Sequence, residues 1–161
     1  MAGGRRLNLA AKARREARLA VVQALYQQDL NPSPTRSLAD EFEQHRLEPQ
    51  ADGAHFRALL LAAGERATEI DELLNGALAK GWTVAKLEAV LRAVLRAGVA
   101  ELLTFVEIPV RVVIDEYVTL AKGFFEGREP AMVNGVLDAL AHRIREAELP
   151  ARDPVASEPA A

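Results

Sequence analysis

The order of apolar and polar residues along this chain is helical almost throughout. Ala13, Ala17, Ala20, Val21, Ala24 and Leu25 form an inward stripe on a first helix, expected from about Leu9 to Leu30. Asn31-Pro-Ser-Pro34 ends it. A short second helix is expected to about Leu47, with Ser37 and Asp40 approximating a capping box. Phe56, Leu60, Ala63, Ala67, Ile70, Leu74 and Leu78 give one continuous third helix, frayed at Gly76 and Gly81. Trp82 is expected to cover a helix end, with Thr83 as the next N-cap. Leu87, Val90, Leu91, Val94, Leu95, Gly98 and Leu102 mark a fourth helix, ending near Phe105.

The last part reads as a helix hairpin. Pro109 opens its first arm, where a missing N–H costs nothing, and the stripe runs Val110, Val113, Ile114, Tyr117, Val118, Ala121, Phe124 and Phe125. Gly123-Phe-Phe-Glu-Gly127 breaks the helix and Pro130 starts the second arm. Within that arm Asn134-Gly135 is out of character, because Gly in a helix interior costs roughly 1 kcal/mol against Ala. Either a neighbouring backbone or a ligand approaches closely at Gly135, or the helix begins after it. No stretch alternates as a strand would, so the chain is predicted to be all-α, a compact helical bundle. The expected organisation is a basic arm without order over 1–8, one helical domain over 9–147, and a Pro- and Ala-rich tail over 148–161.

Composition narrows the function. A chain of 161 residues can bury a full core without staples. It has no cysteine, so disulfides and thiolate metal sites are excluded. No apolar run approaches the length of a membrane span, and no secretory leader is recognisable. The expected setting is cytoplasmic. The net charge of −3 conceals an asymmetry. In residues 1–18 six cations face one acid, for +5, which leaves −8 for the rest. Such a split suggests a basic segment that meets a polyanion, or a solvated tail that keeps the protein in solution.

Enzyme chemistry is hard to find. There is no phosphate-binding Gly loop. His45, His55 and His142 have no partner at metal-ligand spacing and read as surface or boundary residues. Asp115 and Glu116 are adjacent, so their side chains diverge by about 100° on a helix and make a poor acid–base pair. Asp115 could pair with Arg111 four residues earlier. Neither a catalytic residue nor a cofactor or metal is expected.

One face of the first helix is more informative. Arg15, Arg18, Val22 and Tyr26 fall within about 80° of one another, with Lys12 and Arg14 beside them. Cations leading into an aromatic ring suit a single-stranded nucleic acid: the cations hold phosphates and the ring stacks on a base. The same tyrosine could instead pack on the next helix with its hydroxyl in water.

Two signatures, Ala17-Arg-Leu-Ala-Val-Val-Gln-Ala-Leu-Tyr26 and the run from Ile108-Pro through Ile114-Asp-Glu, Leu120-Ala-Lys and Val133-Asn-Gly-Val-Leu-Asp138, stand about eighty residues apart. Together they resemble the NusB family of transcription antitermination factors over roughly residues 12–146. The resemblance implies an all-helical protein of two packed three-helix-like subbundles, without catalytic activity. It further implies recognition of a boxA-type single-stranded RNA in ribosomal RNA operon leaders, as a heterodimer with NusE, a small-subunit ribosomal protein. That heterodimer would join RNA polymerase and other Nus factors to suppress termination. Carried over residue by residue, the RNA face comprises Lys12, Arg14, Arg15, Arg18 and Tyr26, with a second patch at Lys122, Arg128 and Met132. The NusE face comprises Glu88, Leu91, Arg92 and Leu95. Met132 stands where relatives often carry phenylalanine, Arg128 where a relative carries an acid, and Leu91 where some carry a NusE-contacting glutamate. Some members of the family form homodimers. The same fold also precedes an RNA cytosine methyltransferase in other proteins, so a stand-alone relative of that module is a second reading. A helical protein–protein scaffold is a third.

Overall fold

The computed structural model describes residues 2–146 and residue 148. The expected C-terminal tail lies outside the described residues, except for Glu148. Among the described residues seven α-helices follow one another: α1 (Ala2–Leu30), α2 (Thr35–His45), α3 (Gly53–Glu65), α4 (Ala67–Ala77), α5 (Ala89–Thr104), α6 (Val110–Phe124) and α7 (Glu129–Ile144). A 3-10 turn, Val84–Lys86, precedes α5. Among the described residues there is no strand.

α1, α2 and α3 pack as one subbundle, and α4, α6 and α7 gather with α5 in the other. α5 belongs to both, touching α1 and α3 on one side and α4, α6 and α7 on the other. Its sequence explains this position. From Leu91 to Leu102 every residue is buried except the half-buried Arg92 and Arg96, so the helix is enclosed almost all round. Gly98 is what lets α7 approach: an added Cβ would meet Leu137 Cδ1 at 2.9 Å. Gly64 plays the same part between α3 and the start of α2, where a Cβ would run into the Thr35 side chain.

Several expectations need correction. α1 starts at Ala2, not near Leu9, so the segment expected to lack order continues the helix. Adding turns to an existing helix avoids the costly nucleation step, and Arg5, Arg6 and Leu7 are good helix formers. The expected third helix is two, divided at Arg66. Ser37 does not cap α2, whose N-cap is Pro34. Thr83 is the N-cap residue of the 3-10 turn, as expected, but its side chain makes no cap bond, and the Asn75 carboxamide oxygen accepts from Val84 N instead, at 2.8 Å. Trp82 is half exposed. Gly135 lies inside α7, yet nothing stands within 4 Å of its missing Cβ, so no close neighbour accounts for it.

Proline placement agrees with the hairpin reading. Pro109 is the N-cap of α6 and Pro130 lies in the first turn of α7. The α5–α6 connection is held from within by Arg145, which donates to the carbonyls of Ile108, at 2.7 Å, and of Phe105.

Candidate nucleic-acid interface

α1 joins the body of the protein at Ala13, whose carbonyl accepts from Asp52 N at 2.9 Å. Residues 3–12 before that point are all exposed. At 1.5 Å per residue this is a helical spur of about 15 Å. It carries Arg5, Arg6 and Lys12, and α1 has no acid before Glu16. Lys12 forms no ion pair among the described residues and points into solvent.

Around the join, the predicted arginines part company. Arg14 is partly exposed and lies 4.0 Å from Asp52, which also caps α3 by accepting from His55 N at 3.0 Å. Arg15 is exposed and grips Glu116 of α6 with Nε and Nη2, at 2.9 and 3.0 Å. Arg18, expected among the phosphate-binding cations, is 2% exposed and cannot reach a nucleic acid. It forks onto Glu101 of α5, with Nε 2.9 Å from Oε1 and Nη2 2.7 Å from Oε2. Tyr117 Oη donates to the same carboxylate at 2.8 Å, and His55 Nε2 lies 3.5 Å from it. Val22 of the same predicted stripe is buried as well.

The electrostatics of this buried cluster follow from its partners. Burial alone would push the Glu101 carboxyl up, but bonds to His55 and Arg18 and the charge of Arg18 hold it down at about 2. Burial works against the Arg18 charge, and Glu101 more than restores it, raising its pKa above the usual arginine value. Burial and the neighbouring Glu101 charge push the Tyr117 phenol well up. The cluster ties α1, α3, α5 and α6 together at the junction of the subbundles. His55, expected at the surface or a boundary, is therefore a core residue, 6% exposed and packed on the Phe105 ring.

Tyr26 is 37% exposed, near the C-terminal end of α1. Asp29 beyond it pairs with Arg92 and Arg96 of α5, at 3.5 and 2.9 Å, while Arg18 meets Glu101 further along. So α1 runs antiparallel to α5. α6 begins where α5 ends and has Tyr117 beside Gly98, so it runs back along α5 too. α1 and α6 thus point the same way. Measured from the Arg15–Glu116 contact, Tyr26 lies about 16 Å and Lys122 about 9 Å toward the same end of the molecule.

At that end Val118, Lys122, Phe125, Pro130 and Asn134, with the exposed acid Glu126, line an open groove of about 660 Å³. Lys122 and Arg128 are exposed beside it. Met132 is half-buried against the core, which limits the face it can offer a base. Two residues escaped sequence reasoning. Phe124, assigned to the inward stripe, is 44% exposed, its ring 6.4 Å from that of Phe125. α6 ends at Phe124 and the backbone turns extended at Phe125, so the two rings part and only Phe125 packs against the core. Asn134 stands exposed in the groove, which gives the Asn134-Gly135 pair an open polar surface rather than a packed one.

The expected partner face needs correction too. Leu91 and Leu95 are 5% and 0% exposed and belong to the core, because α5 is enclosed on both sides. Glu88 is exposed and caps α5, accepting from Val90 N and Leu91 N at 3.1 and 3.2 Å. Arg92 is half-buried, donating to Leu87 O at 3.1 Å. The accessible surface here is Glu88 and Arg92, with exposed Trp82 on the preceding loop. Arg111 lies 4.0 Å from Asp138 of α7, not paired with Asp115.

Among the described residues no group of three or more His, Cys, Asp or Glu could hold a metal ion, and no helix is long and apolar enough to cross a membrane.

Comparison with known proteins gives the same picture. The NusB family model matches residues 15–142. Transcription antitermination protein NusB of Novosphingobium aromaticivorans is 45% identical over 145 residues, covering 85% of this chain and 98% of that protein. That of Sphingopyxis alaskensis is 41% identical over 147 residues, covering 86% and 99%. Among solved structures, NusB of T. maritima superposes with a TM-score of 0.69 at 32% identity, covering 79% of this chain and 89% of that one. NusB in a complex of antitermination factors NusB and NusE with dsRNA also gives 0.69, at 28% identity, covering 82% and 98%. With a family match spanning most of its length and relatives at this identity, the chain belongs to the NusB family.

Proposed function

We propose that this protein is an RNA-binding transcription antitermination factor that takes a boxA-type single-stranded RNA of ribosomal RNA operon leaders, acting as a heterodimer with NusE. The observation that carries the reading is the accessible cationic and aromatic surface on two parallel helices. Lys12, Arg14 and Arg15 lead to Tyr26 on α1, and Lys122 and Arg128 flank the groove at the end of α6. Cations spaced along a helix suit a phosphate chain, and exposed rings at Tyr26 and Phe124 offer bases a stacking surface. One structural relative is a NusB in complex with NusE and dsRNA, which supports NusE as the partner. The NusE face assigned here is Glu88 and Arg92 with Trp82. The heterodimer would then join RNA polymerase and other Nus factors in the cytoplasm, with no chemistry of its own and no cofactor.

The test is fluorescence anisotropy of a labelled boxA-type RNA against a scrambled RNA, with and without NusE, across salt concentrations. With three to five phosphates held, affinity should fall with salt at a log–log slope of roughly −2 to −3.5. Preference for boxA that sharpens with NusE is expected. Equal binding to both RNAs would reduce the site to a generic basic surface, and no binding to either would leave a helical scaffold.

A further inference from the structure

Arg15 does not stand free on the RNA face. Glu116 holds it in a two-point grip from α6, and that carboxylate is less exposed than the arginine, 16% against 50%. Glu116 also comes within 3.9 Å of Arg18 Nη1, but Arg18 already has its fork on Glu101. Two guanidiniums and two carboxylates therefore sit together without net charge. The middle of a stripe that looks basic in sequence is neutral, and its cationic character lies before it, at Lys12 and the loosely held Arg14. A carboxylate in this fork occupies the same N–H directions that a phosphate would use.

We infer that Glu116 is a specificity-determining residue of the RNA face, screening Arg15 from bare polyanions and yielding it only to an RNA that brings hydrogen-bond donors to the displaced carboxylate. This rests on the RNA reading above. A phosphate that reaches Arg15 while Glu116 stays in place puts two anions side by side. A nucleotide can relieve that clash, because its 2′-hydroxyl or an exocyclic amine can donate to Glu116 as the phosphate takes the arginine. Inorganic polyphosphate has the charge and no such donors.

The experiment compares Glu116→Gln with wild type on inorganic polyphosphate and on a boxA-type RNA, with thermal unfolding to show that both are folded. The substitution should tighten polyphosphate binding about threefold, the size of a partly exposed ion pair, and steepen its salt dependence. RNA should gain less, so the ratio of RNA to polyphosphate affinity falls. Arg15→Ala/Glu116→Gln should lose the gain, since the unmasked cation is then absent. If Glu116 merely held Arg15 in position, Glu116→Gln would weaken both ligands alike. That outcome, or unchanged polyphosphate binding, overturns the proposal. Failure of the RNA reading itself shows separately, as wild type binding boxA no better than scrambled RNA.

Discussion

Arg15 and Arg18 stand one helical turn apart on α1, and each holds a glutamate of another helix through two guanidinium nitrogens. Their surroundings make them different devices. The Arg18–Glu101 pair is shut in the core with Tyr117 and His55 on the same carboxylate. The Arg15–Glu116 pair opens to solvent. In the core, removing one partner strands a charge where water cannot reach it. At the surface, water replaces the lost partner, so the pair contributes little to stability and its arginine can change partners. One pair fixes how the subbundles meet; the other is available to a ligand.

The comparison breaks most visibly at the buried pair. Arg18→Ala or Glu101→Ala should destabilise the fold by about 3–5 kcal/mol in urea unfolding. Replacing both by apolar residues of similar size should cost less than either alone. A loss under 1 kcal/mol for Arg18→Ala would show that the pair does not hold the junction.

Acid probes the same pair without mutation. The Glu101 carboxyl sits at about 2 in the fold against an ordinary 4.5. Its folded value is depressed, so its contribution is fully present above 4.5 and is lost as pH falls toward about 2. The amount at stake is on the order of 3 kcal/mol. Unfolding free energies between pH 5 and 2 should show this decline, and Glu101→Gln should flatten it.

Next in size is Tyr26. Tyr26→Ala should cost roughly 1–3 kcal/mol in RNA affinity if the ring stacks on a base, with little change in unfolding. A variant that loses stability and keeps RNA binding would make Tyr26 a packing residue. Smallest is the exposed arginine. Arg15→Ala should leave stability within 1 kcal/mol and shallow the salt slope for RNA by about 0.7. The matching Arg18→Ala, measured where it remains folded, should leave that slope unchanged.

The helical architecture was legible because burial in a bundle writes a 3.6-residue period into the sequence, and Pro32, Pro34, Pro109 and Pro130 punctuate it. What periodicity cannot give is the depth of a given angular sector. Arg15 and Arg18 share a sector on α1, and only Glu101, 83 residues away, tells them apart. A signal was present: Glu101 is the lone acid of α5 and stands among Val99, Ala100, Leu102 and Leu103, so it had to be buried and find a cation. Leu91 and Leu95 were themselves on the apolar stripe of that helix, which marked them as core. Arg66 divides α3 from α4 without a proline to announce it, two residues after a glycine that makes room for Thr35. The spur before Ala13 was misjudged because Gly3-Gly4 suggested a chain with nothing to support it, whereas the helix behind it supplies the support.

The most direct test of the account takes the triple variant Arg14→Ala/Arg15→Ala/Tyr26→Ala through a salt-dependent boxA RNA titration and a urea unfolding curve. We expect an unfolding curve close to wild type and RNA binding reduced at least tenfold with a shallower salt slope. Undiminished RNA binding by the folded triple variant would contradict the assignment of this face.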